Sequence, residues 1–573
     1  MLKGIPVSPG VAISTALFLE SKSITTEKKS ITKEEISTEQ QKLEVGITQT
    51  EEQLTKLHQQ LLDSVGEEQA SIMSAHLMLL KDPAFIDEIN NHIQNDLIDV
   101  SSAVQVTVDQ FVKIFENIDD EYMRERATDI KDIGNRLIAN ILGKSEEKTI
   151  QPEGSFILVS DDLTPSETVT LPRDRVKAII VAKGGKTSHA AILARSLGIP
   201  AIMGIGEQLA IEIATGDSLI IDGSTGEIFI NPDAALISAY EEKQKEEQKE
   251  KEQLALLKDR KAVTKDGTPI ELVANIKGPQ DAEEVLEQGG EGIGLFRSEF
   301  LFMDRSSLPS EEEQYDAYSE VVKNLGGKPV IIRTLDIGGD KHLPYLDLPE
   351  EMNPFLGWRA IRISLSRPAL FQTQLRALLR ASAHGKVRIM FPMISNLEQI
   401  QEVKRILEET KKQLADESIA FDPDIETGVM IEIPSACLIA DELAKEVDFF
   451  SIGTNDLVQY TLAVDRMNEH ISDLYDHFHP AVLRLIKMVI DASHRNGIWT
   501  GMCGEMAGDL HATEILLGLG LDEFSVSPTL LPKIKHQLLQ LSMEKAQQVA
   551  QHALSLGTPA EVQEYAIASH SVS

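Results

Sequence analysis

The chain has 573 residues, a length that exceeds what one hydrophobic core usually organises, so we expect two or more domains. Its formal net charge of −36 argues against a nucleic-acid or anionic membrane surface and favours a basic protein partner, although solubility alone would also explain it. Two cysteines, Cys437 and Cys503, exclude a disulfide framework, and the lack of a signal-peptide core or a membrane-length apolar run predicts a cytoplasmic protein.

A helical segment interrupts the N-terminal part of the chain. After a strand predicted at 11–19, residues 32–143 are almost all helix formers with apolar residues at helical spacing, which predicts a bundle inserted into an α/β domain. Near one helix junction, acidic and apolar residues fit either a helix core with a solvated face or a docking surface. These residues are Glu67, Glu68, His76, Met78, Leu79 and Asp82.

The segment 176–204 predicts a strand, a turn and a helix with His189 in its first turn. The apolar run 176–181 is typical of a buried strand, Gly184 and Gly185 end it, and Thr187 or Ser188 offers an N-cap oxygen. A helix N-terminus disfavours imidazolium and attracts anions, so a neutral, nucleophilic His189 that accepts a phosphoryl group fits this position. Alternatively, His189 simply caps or packs against the helix.

Further strands at 156–160 and in AIMGI, and a hairpin in SLIIDGSTGEIFI, complete the α/β domain. The charge-laced segment 234–260 predicts a long linker helix. We therefore expect an α/β phosphohistidine domain at 1–20 and 144–233, an inserted helical subdomain at 21–143, the linker helix at 234–260 and a C-terminal domain at 261–573.

Strand-like runs and helical patterns alternate through the C-terminal domain, and this alternation predicts a (βα)₈ TIM-like barrel. The predicted strands are 271–276, 292–298, 330–338, 387–394, 428–434, 449–457, 501–506 and 523–528. In such barrels the catalytic face lies at the C-terminal strand ends. Unusual polar residues fall near these ends: Arg297, Arg333, Glu432, Asn455, Asp456 and Cys503.

Each of these residue types suits one chemical task. Two carboxylates within apolar strands, Glu432 and Asp456, would repel each other unless protonated or bridged by a cation such as Mg²⁺. Arginines bind phosphate and carboxylate oxygens in a bidentate manner, and the candidates are Arg297, Arg333, Arg466 and Arg359, with Asn455 as an amide donor. The Cys503 thiol is protonated at neutral pH and can act as a general acid. Together they fit phosphoenolpyruvate, and the chain contains no GxxxxGK[ST] loop for ATP.

These residues lie in motifs that resemble enzyme I of the bacterial phosphoenolpyruvate:sugar phosphotransferase system, and the resemblance spans essentially the whole chain. The motifs are DLTPSET, GGKTSHAAILARSLGIPA, GLFRSEFLFMDR, RTLDIGGDK, NPFLGWRAIR, FFSIGTNDLVQYTLAVDR and TGMCGEMAGD. The resemblance implies a phosphorylated His189 beside Thr168, Mg²⁺ on Glu432 and Asp456, and proton donation by Cys503. It also implies that phosphoenolpyruvate binds Arg297, Arg333, Asn455 and Arg466.

The resemblance further implies a swivelling α/β domain, docking of the histidine-containing phosphocarrier protein on the helical insert, and a homodimer formed by the barrels. Two related enzymes remain alternatives: a dikinase or synthase would need a nucleotide-binding domain for which the chain has no room, and a nitrogen-regulatory enzyme I would carry an extra N-terminal domain. An inactive scaffold that only binds the carrier is a third alternative. The intact His189, Glu432, Asp456 and Cys503 argue against it.

Overall fold

The computed structural model describes the chain except residues 20–27, 65–66, 117–120, 144–153, 165–166, 168–170, 173, 186–187, 189, 192–193, 196–197, 207, 304, 340–342, 347, 350, 469 and 571–573. Side chains are also left undescribed at 61–64, 67–72, 116, 121–126, 208, 210, 344 and 570. The chain divides into two compact units, Met1–Glu250 and Lys251–Ser573, so the boundary falls within the predicted linker segment. No helix in the described part is long and apolar enough to cross a bilayer.

The helical insert of the first unit consists of amphipathic helices around their own apolar core. Phe85, Ile89 and Ile93 are buried on one face of a helix whose N-cap, Asp82, accepts a hydrogen bond from the Ala84 amide at 2.8 Å. A Cβ at Gly134 would lie 2.4 Å from Val108 Cγ2, so this glycine allows two helices to approach closely. The helices are Ile36–Ser64, Glu67–Leu80, Pro83–Asn95, Val100–Glu116 and Glu121–Ile141.

The rest of the first unit is an eight-stranded sheet with apolar side chains buried on both faces. The strand order is β1-β8-β7-β3-β4-β5-β6-β2, and β3 to β6 run parallel. The strands are β1 (Leu2–Lys3), β2 (Ile5–Ser8), β3 (Val11–Leu19), β4 (Phe156–Ser160), β5 (Val176–Val181), β6 (Ala201–Met203), β7 (Ser218–Asp222) and β8 (Glu227–Ile230), with a short helix at Gln208–Glu212. The predicted strands and hairpin of this domain are confirmed.

The linker helix spans Ala234–Ala255 and is therefore shorter than the predicted 234–260. Its first half is fixed to the sheet, because Lys243 pairs with Asp222 and Gln244 Nε2 donates to Val11 O at 2.7 Å. Beyond the helix, within the second unit, Lys258 O accepts a hydrogen bond of 3.0 Å from the buried Lys535. The predicted domain boundaries otherwise remain predictions.

The second unit is a closed barrel of eight parallel strands, which confirms the predicted (βα)₈ architecture. The strands are β9 (Glu271–Ile276), β10 (Ile293–Arg297), β11 (Val330–Arg333), β12 (Val387–Phe391), β13 (Glu426–Ile431), β14 (Phe449–Ile452), β15 (Trp499–Met502) and β16 (Glu523–Val526). α-Helices lie at Ala282–Glu287, Glu311–Asn324, Ile361–Ser366, Pro368–Ser382, Leu397–Asp416, Pro434–Leu438, Ala440–Leu443, Thr454–Leu462, Pro480–Arg495, Thr513–Leu519, Leu531–Leu538, Met543–Ser555 and Pro559–His570. Single 3₁₀ turns lie at Pro279–Asp281, Ser298–Leu301, Pro344–Leu346, Pro354–Leu356, Ser472–Leu474, Glu505–Gly508 and Pro528–Leu530.

Several predicted strands are too long at their C-terminal ends. The run 449–457 is a strand only over Phe449–Ile452, and a helix begins at Thr454 after Gly453. The prediction that Glu432 and Asp456 lie within strands is therefore wrong. Glu432 directly follows β13, and Asp456 lies in the first turn of the helix after β14.

Candidate active site

The predicted polar residues lie at one end of the barrel, where the parallel strands end. Arg297 and Arg333 are the last residues of β10 and β11, and Cys503 directly follows β15. Each strand end places its side chain on the same rim because all eight strands run in one direction. Arg297 is exposed, whereas Arg333 and Cys503 are buried.

Arg333 is held by two buried carboxylates. Its Nη1 lies 2.8 Å from Asp336 Oδ2, and its Nη2 pairs with Glu299. Burial opposes the positive charge, but Asp336 and Glu299 outweigh that effect and raise the pKa of Arg333. The guanidinium is therefore fully charged and fixed at the mouth of the barrel.

Arg359 connects the loop after β11 with the helix after β14. Its Nη2 lies 3.0 Å from Asp336 Oδ1 and 3.3 Å from Asp456 Oδ2. Its Nη1 donates to Tyr460 Oη at 3.2 Å, and Tyr460 in turn donates to Phe355 O. Arg466 reaches the other oxygen of Asp456 at 3.4 Å. Three of the predicted arginines, Arg333, Arg359 and Arg466, thus form one connected group with Asp336 and Asp456.

Glu432 is only 1% exposed, and its Oε1 accepts a hydrogen bond of 2.6 Å from the Met393 amide. Burial raises the pKa of Glu432 to about 8, and the nearby carboxylates of Asp456 and Asp336 act in the same direction. Gly453 leaves room for this side chain, because a Cβ there would lie 2.9 Å from Glu432 Oε2.

The pair of Glu432 and Asp456 fits a hard divalent cation. Both are carboxylates, the ligands that Mg²⁺ prefers, and a bound cation would stabilise the charged form of Glu432 that burial and the neighbouring carboxylates disfavour. Over the residues that the structure describes, no group of three or more His, Cys, Asp or Glu side chains is arranged to hold a metal.

Cys503 presents a neutral thiol to the site. It is 4% exposed, and burial raises its pKa to about 11 even though Arg333 and Arg297 act in the opposite direction. Its backbone is fixed, since Asn275 Nδ2 donates to Cys503 O at 3.0 Å and Ser525 Oγ donates to Asn275 Oδ1 at 2.6 Å. A cavity of about 230 Å³ is lined by Cys503 and Arg297, together with residues at the ends of β9 and β16 such as Asn275 and Ser527.

Asn455 is oriented by two reciprocal hydrogen bonds with Glu505. Asn455 Nδ2 donates to Glu505 Oε1 at 3.1 Å, and the Glu505 amide donates to Asn455 Oδ1 at 2.9 Å. Glu505 follows Cys503 by two residues, so these contacts connect the helix after β14 with the turn after β15. The amide and the thiol therefore share one wall of the site.

Comparisons with known proteins identify relatives that use phosphoenolpyruvate (PEP). Family models match three stretches: "PEP-utilising enzyme, N-terminal" at 3–126, "PEP-utilising enzyme, mobile domain" at 152–226 and "PEP-utilising enzyme, PEP-binding domain" at 251–543. The phosphoenolpyruvate-protein phosphotransferase of Haemophilus influenzae is 49% identical over 98% of both chains, and that of Bacillus subtilis is 48% identical over 98% of both. The Staphylococcus carnosus protein of the same name is 49% identical over 87% of each chain.

The chain belongs to the phosphoenolpyruvate-protein phosphotransferase family. The family inferred from the sequence motifs is thereby confirmed. The predicted multidomain α/β fold class and the prediction that the chain is an enzyme are confirmed as well. The residue roles inferred from the motifs are not tested by the similarity itself.

His189, the predicted phosphorylated residue, and Thr168, which is predicted to lie beside it, are outside the residues that the structure describes. Their neighbours support the predicted local structure. Ser188 Oγ accepts a hydrogen bond from the Ala191 amide at 3.4 Å, which is the N-cap contact expected of it. Gly198 has a φ of 63°, the left-handed conformation common just after a helix.

The predicted docking residues of the helical insert have different environments. Met78 is 70% exposed and Leu79 packs partly against the core of the insert, while Glu67 and Glu68 begin a helix whose first side chains are not described. His76 is only 1% exposed and lies 3.3 Å from Asp129, so its predicted role as a surface contact is wrong in this structure. Asp82 serves as a helix N-cap.

Sequence reasoning missed the acidic partners of the arginines. Glu299 follows Arg297 by two residues in GLFRSEF, and Asp336 follows Arg333 by three in RTLDIGG. Their closeness in sequence to arginines at predicted strand ends was an available signal. Glu505 and Tyr460, which orient Asn455 and Arg359, carried no comparable signal.

Proposed function

We propose that the chain transfers the phosphoryl group of phosphoenolpyruvate to its own His189, releasing pyruvate, and then to a histidine of the histidine-containing phosphocarrier protein. This is the first step of sugar uptake by the phosphotransferase system. The observation that supports it best is the connected group of arginines and carboxylates beside a neutral thiol at one end of the barrel. Relatives named phosphoenolpyruvate-protein phosphotransferase support it over nearly the full length.

Substrate binding is assigned to Arg297, Arg333, Arg359, Asn455 and Arg466. Guanidinium groups suit the oxygens of phosphate and carboxylate, and burial strengthens such contacts. Glu432 and Asp456 would hold Mg²⁺, which when bound supplies positive charge at the departing enolate oxygen.

His189 is the proposed nucleophile of the first transfer, and Cys503 is its proposed proton donor. Nε2 of a neutral His189 attacks phosphorus, the bond from phosphorus to the enolate oxygen breaks, and the enolate carbon takes the proton of the Cys503 thiol to give pyruvate. The thiolate then regains a proton from water. Thr168 is proposed to support His189 beside the site of attack.

The phosphoryl group then leaves at a second place. A carrier protein is proposed to dock on the helical insert at Met78, Leu79, Glu67 and Glu68, and the acidic character of the chain favours a basic partner. One imidazole cannot occupy both places, so the α/β domain must swing during the cycle. Because its donor is an intermediate of central metabolism, we assign the chain to the cytoplasm.

We also propose a homodimer formed by the barrels. Exposed apolar side chains, which favour association, project from the loops after β11 and β14: Met352, Leu356, Met467 and Leu474. The two loops touch, because Tyr460 donates to Phe355 O and Arg466 lies over the Phe355 ring. A Leu356→Asp variant that sedimented like the wild type would contradict this interface.

Labelled phosphoenolpyruvate with Mg²⁺ tests the proposal, followed by mass spectrometry of the digested protein. We expect one acid-labile phosphate on His189, none in His189→Ala, and retained phosphoenolpyruvate binding in that variant. Phosphate on another residue would contradict the mechanism. No label at all would favour the inactive scaffold, and transfer only to a nitrogen-branch carrier would favour the regulatory alternative.

A further inference from the structure

Asp336 places one oxygen on each of two arginines. Oδ2 lies 2.8 Å from Arg333 Nη1, and Oδ1 lies 3.0 Å from Arg359 Nη2. All three side chains are buried. A single carboxylate therefore sets the distance between two guanidinium groups that come from different parts of the chain.

Both arginines keep a donor for a further ligand. Their terminal nitrogens are engaged by Asp336 and by Glu299 or Tyr460. Their Nε–H groups are buried, and neither has a hydrogen-bond partner in the part of the chain that the structure describes. Buried donors on charged groups are costly unless an acceptor completes them, so these two Nε–H groups favour an anionic ligand beside the pair.

The loop that carries Asp336 is itself fixed. The flanking residues Leu335 and Ile337 are fully buried. The Leu335 amide donates to Gln374 Oε1 at 2.9 Å, and the Ala360 amide donates to Ile337 O at 2.9 Å. The second hydrogen bond joins the loop directly to the segment that carries Arg359.

Close packing between the two segments excludes larger residues. Gly338 has a φ of 109°, and a Cβ there would lie 2.5 Å from Arg359 Cβ. The backbone segments that carry Asp336 and Arg359 are thus held at a fixed distance from each other. Asp336 has no freedom to move without displacing the arginines.

We propose that Asp336 is a positioning residue that holds Arg333 and Arg359 at a fixed separation for the phosphoryl oxygens of the substrate. This inference rests on the proposed function. Preorganised donors gain affinity because their geometry is set before the ligand arrives. Glu299 pairs with the other terminal nitrogen of Arg333 and so braces that arginine within the pair.

The test compares binding of phosphoenolpyruvate and pyruvate by calorimetry in the presence of Mg²⁺, in a His189→Ala background that prevents phosphoryl transfer. Adding Asp336→Asn should weaken phosphoenolpyruvate binding about tenfold or more, while pyruvate, which lacks the phosphoryl group, should change less than about threefold. Glu299→Gln should have a smaller effect on phosphoenolpyruvate. Equal losses for both ligands, or no loss for either, would overturn the proposal.

Asp441→Asn is a matched control. Asp441 also binds an arginine, Arg495, through two hydrogen bonds, but on the exposed surface of the barrel. We expect it to leave both affinities unchanged.

Asp336→Glu keeps the negative charge if Asp336→Asn fails to fold. The longer side chain shifts the carboxylate and should still weaken phosphoenolpyruvate binding about fivefold at a thermal midpoint close to that of the wild type. Unchanged binding in this variant would overturn the inference. A wild type that binds phosphoenolpyruvate but never phosphorylates His189 would instead reject the proposed function and leave the positioning role standing.

Discussion

Asp456 accepts a hydrogen bond from Arg359 Nη2 at 3.3 Å, so a candidate cation ligand and a candidate substrate ligand hold each other in this structure. Arg466 occupies the second oxygen of the same carboxylate at 3.4 Å. A cation that binds Asp456 must compete with both guanidinium groups. The released arginines are then available for an anionic substrate.

The competition predicts positive coupling between cation and substrate. In His189→Ala protein, Mn²⁺ should tighten phosphoenolpyruvate binding about tenfold, and phosphoenolpyruvate should tighten Mn²⁺ binding by the same factor because coupling is reciprocal. Calorimetry of each ligand with and without the other measures both factors. Asp456→Asn should abolish the coupling and Asp441→Asn should preserve it. Independent binding in the parent protein would contradict the prediction.

Cys503 should remain an acid across the physiological pH range. Because burial raises its pKa to about 11, the thiol stays protonated well above neutrality, and pyruvate formation should show no loss between pH 7 and pH 9 from its ionisation. Cys503→Ala should slow pyruvate formation about 100-fold, as expected for loss of a general acid. Rapid-quench measurement of pyruvate in a single turnover tests both statements.

Cys437 provides the matched control for this prediction. It is also buried in the barrel, and burial raises its pKa to about 12, but it is not among the residues that line the cavity at Cys503. Cys437→Ala should therefore leave pyruvate formation close to that of the wild type. A fall in the wild-type rate near pH 8 would show that a different group supplies the proton.

The sequence predicted the barrel and its rim because both depend on local signals. Apolar runs mark the strands, and parallel strands bring their ends together whatever the loops do. The end of β14 was misplaced because the predicted strand was extended through the polar run TNDL, whereas Gly453 ends the strand pattern and a helix begins at Thr454.

Other features depend on tertiary contacts that no local pattern reports. Only the meeting of β10 and β11 places Glu299 against Arg333, whereas Asp336 meets Arg333 three residues along the chain and depends on tertiary structure for its contact with Arg359. His76 was grouped with surface residues because it lies between polar and apolar neighbours. Its burial follows from the packing of two helices, which brings it beside Asp129.

Met78 should matter for transfer to the carrier and not for the first reaction. It is 70% exposed on the helical insert, where an apolar contact would be desolvated by a partner. Met78→Glu should slow phosphoryl transfer to the carrier about tenfold, since a buried interface side chain commonly contributes at least that much. Autophosphorylation by phosphoenolpyruvate should be unchanged. Met488→Glu, on an exposed face of a barrel helix, should affect neither step. Equal slowing of both steps by Met78→Glu would point to misfolding and not docking.

The barrel should lose stability as pH rises, because of a buried acid far from the rim. Glu523 begins β16 and is 1% exposed, and over the described residues neither of its carboxylate oxygens has a hydrogen-bond partner. Burial, with Glu271 and Asp522 acting in the same direction, raises its pKa to about 8, although Arg388 opposes this. The folded barrel thus binds a proton that the unfolded chain, with a glutamate pKa of about 4.3, releases.

Stability from this group is therefore fully present below about pH 4 and is lost as pH rises to about 8. The free energy of unfolding of Glu523→Gln should equal that of the wild type near pH 4. Above pH 8 it should be larger by a few kcal/mol, the free energy that corresponds to the pKa shift. Urea unfolding at several pH values measures this, and tryptophan fluorescence reports the barrel alone because both tryptophans, Trp358 and Trp499, lie in it. Glu564→Gln, on an exposed face of the last helix, should show no such divergence. A constant difference between Glu523→Gln and the wild type at all pH values would mean that Glu523 does not titrate in this range.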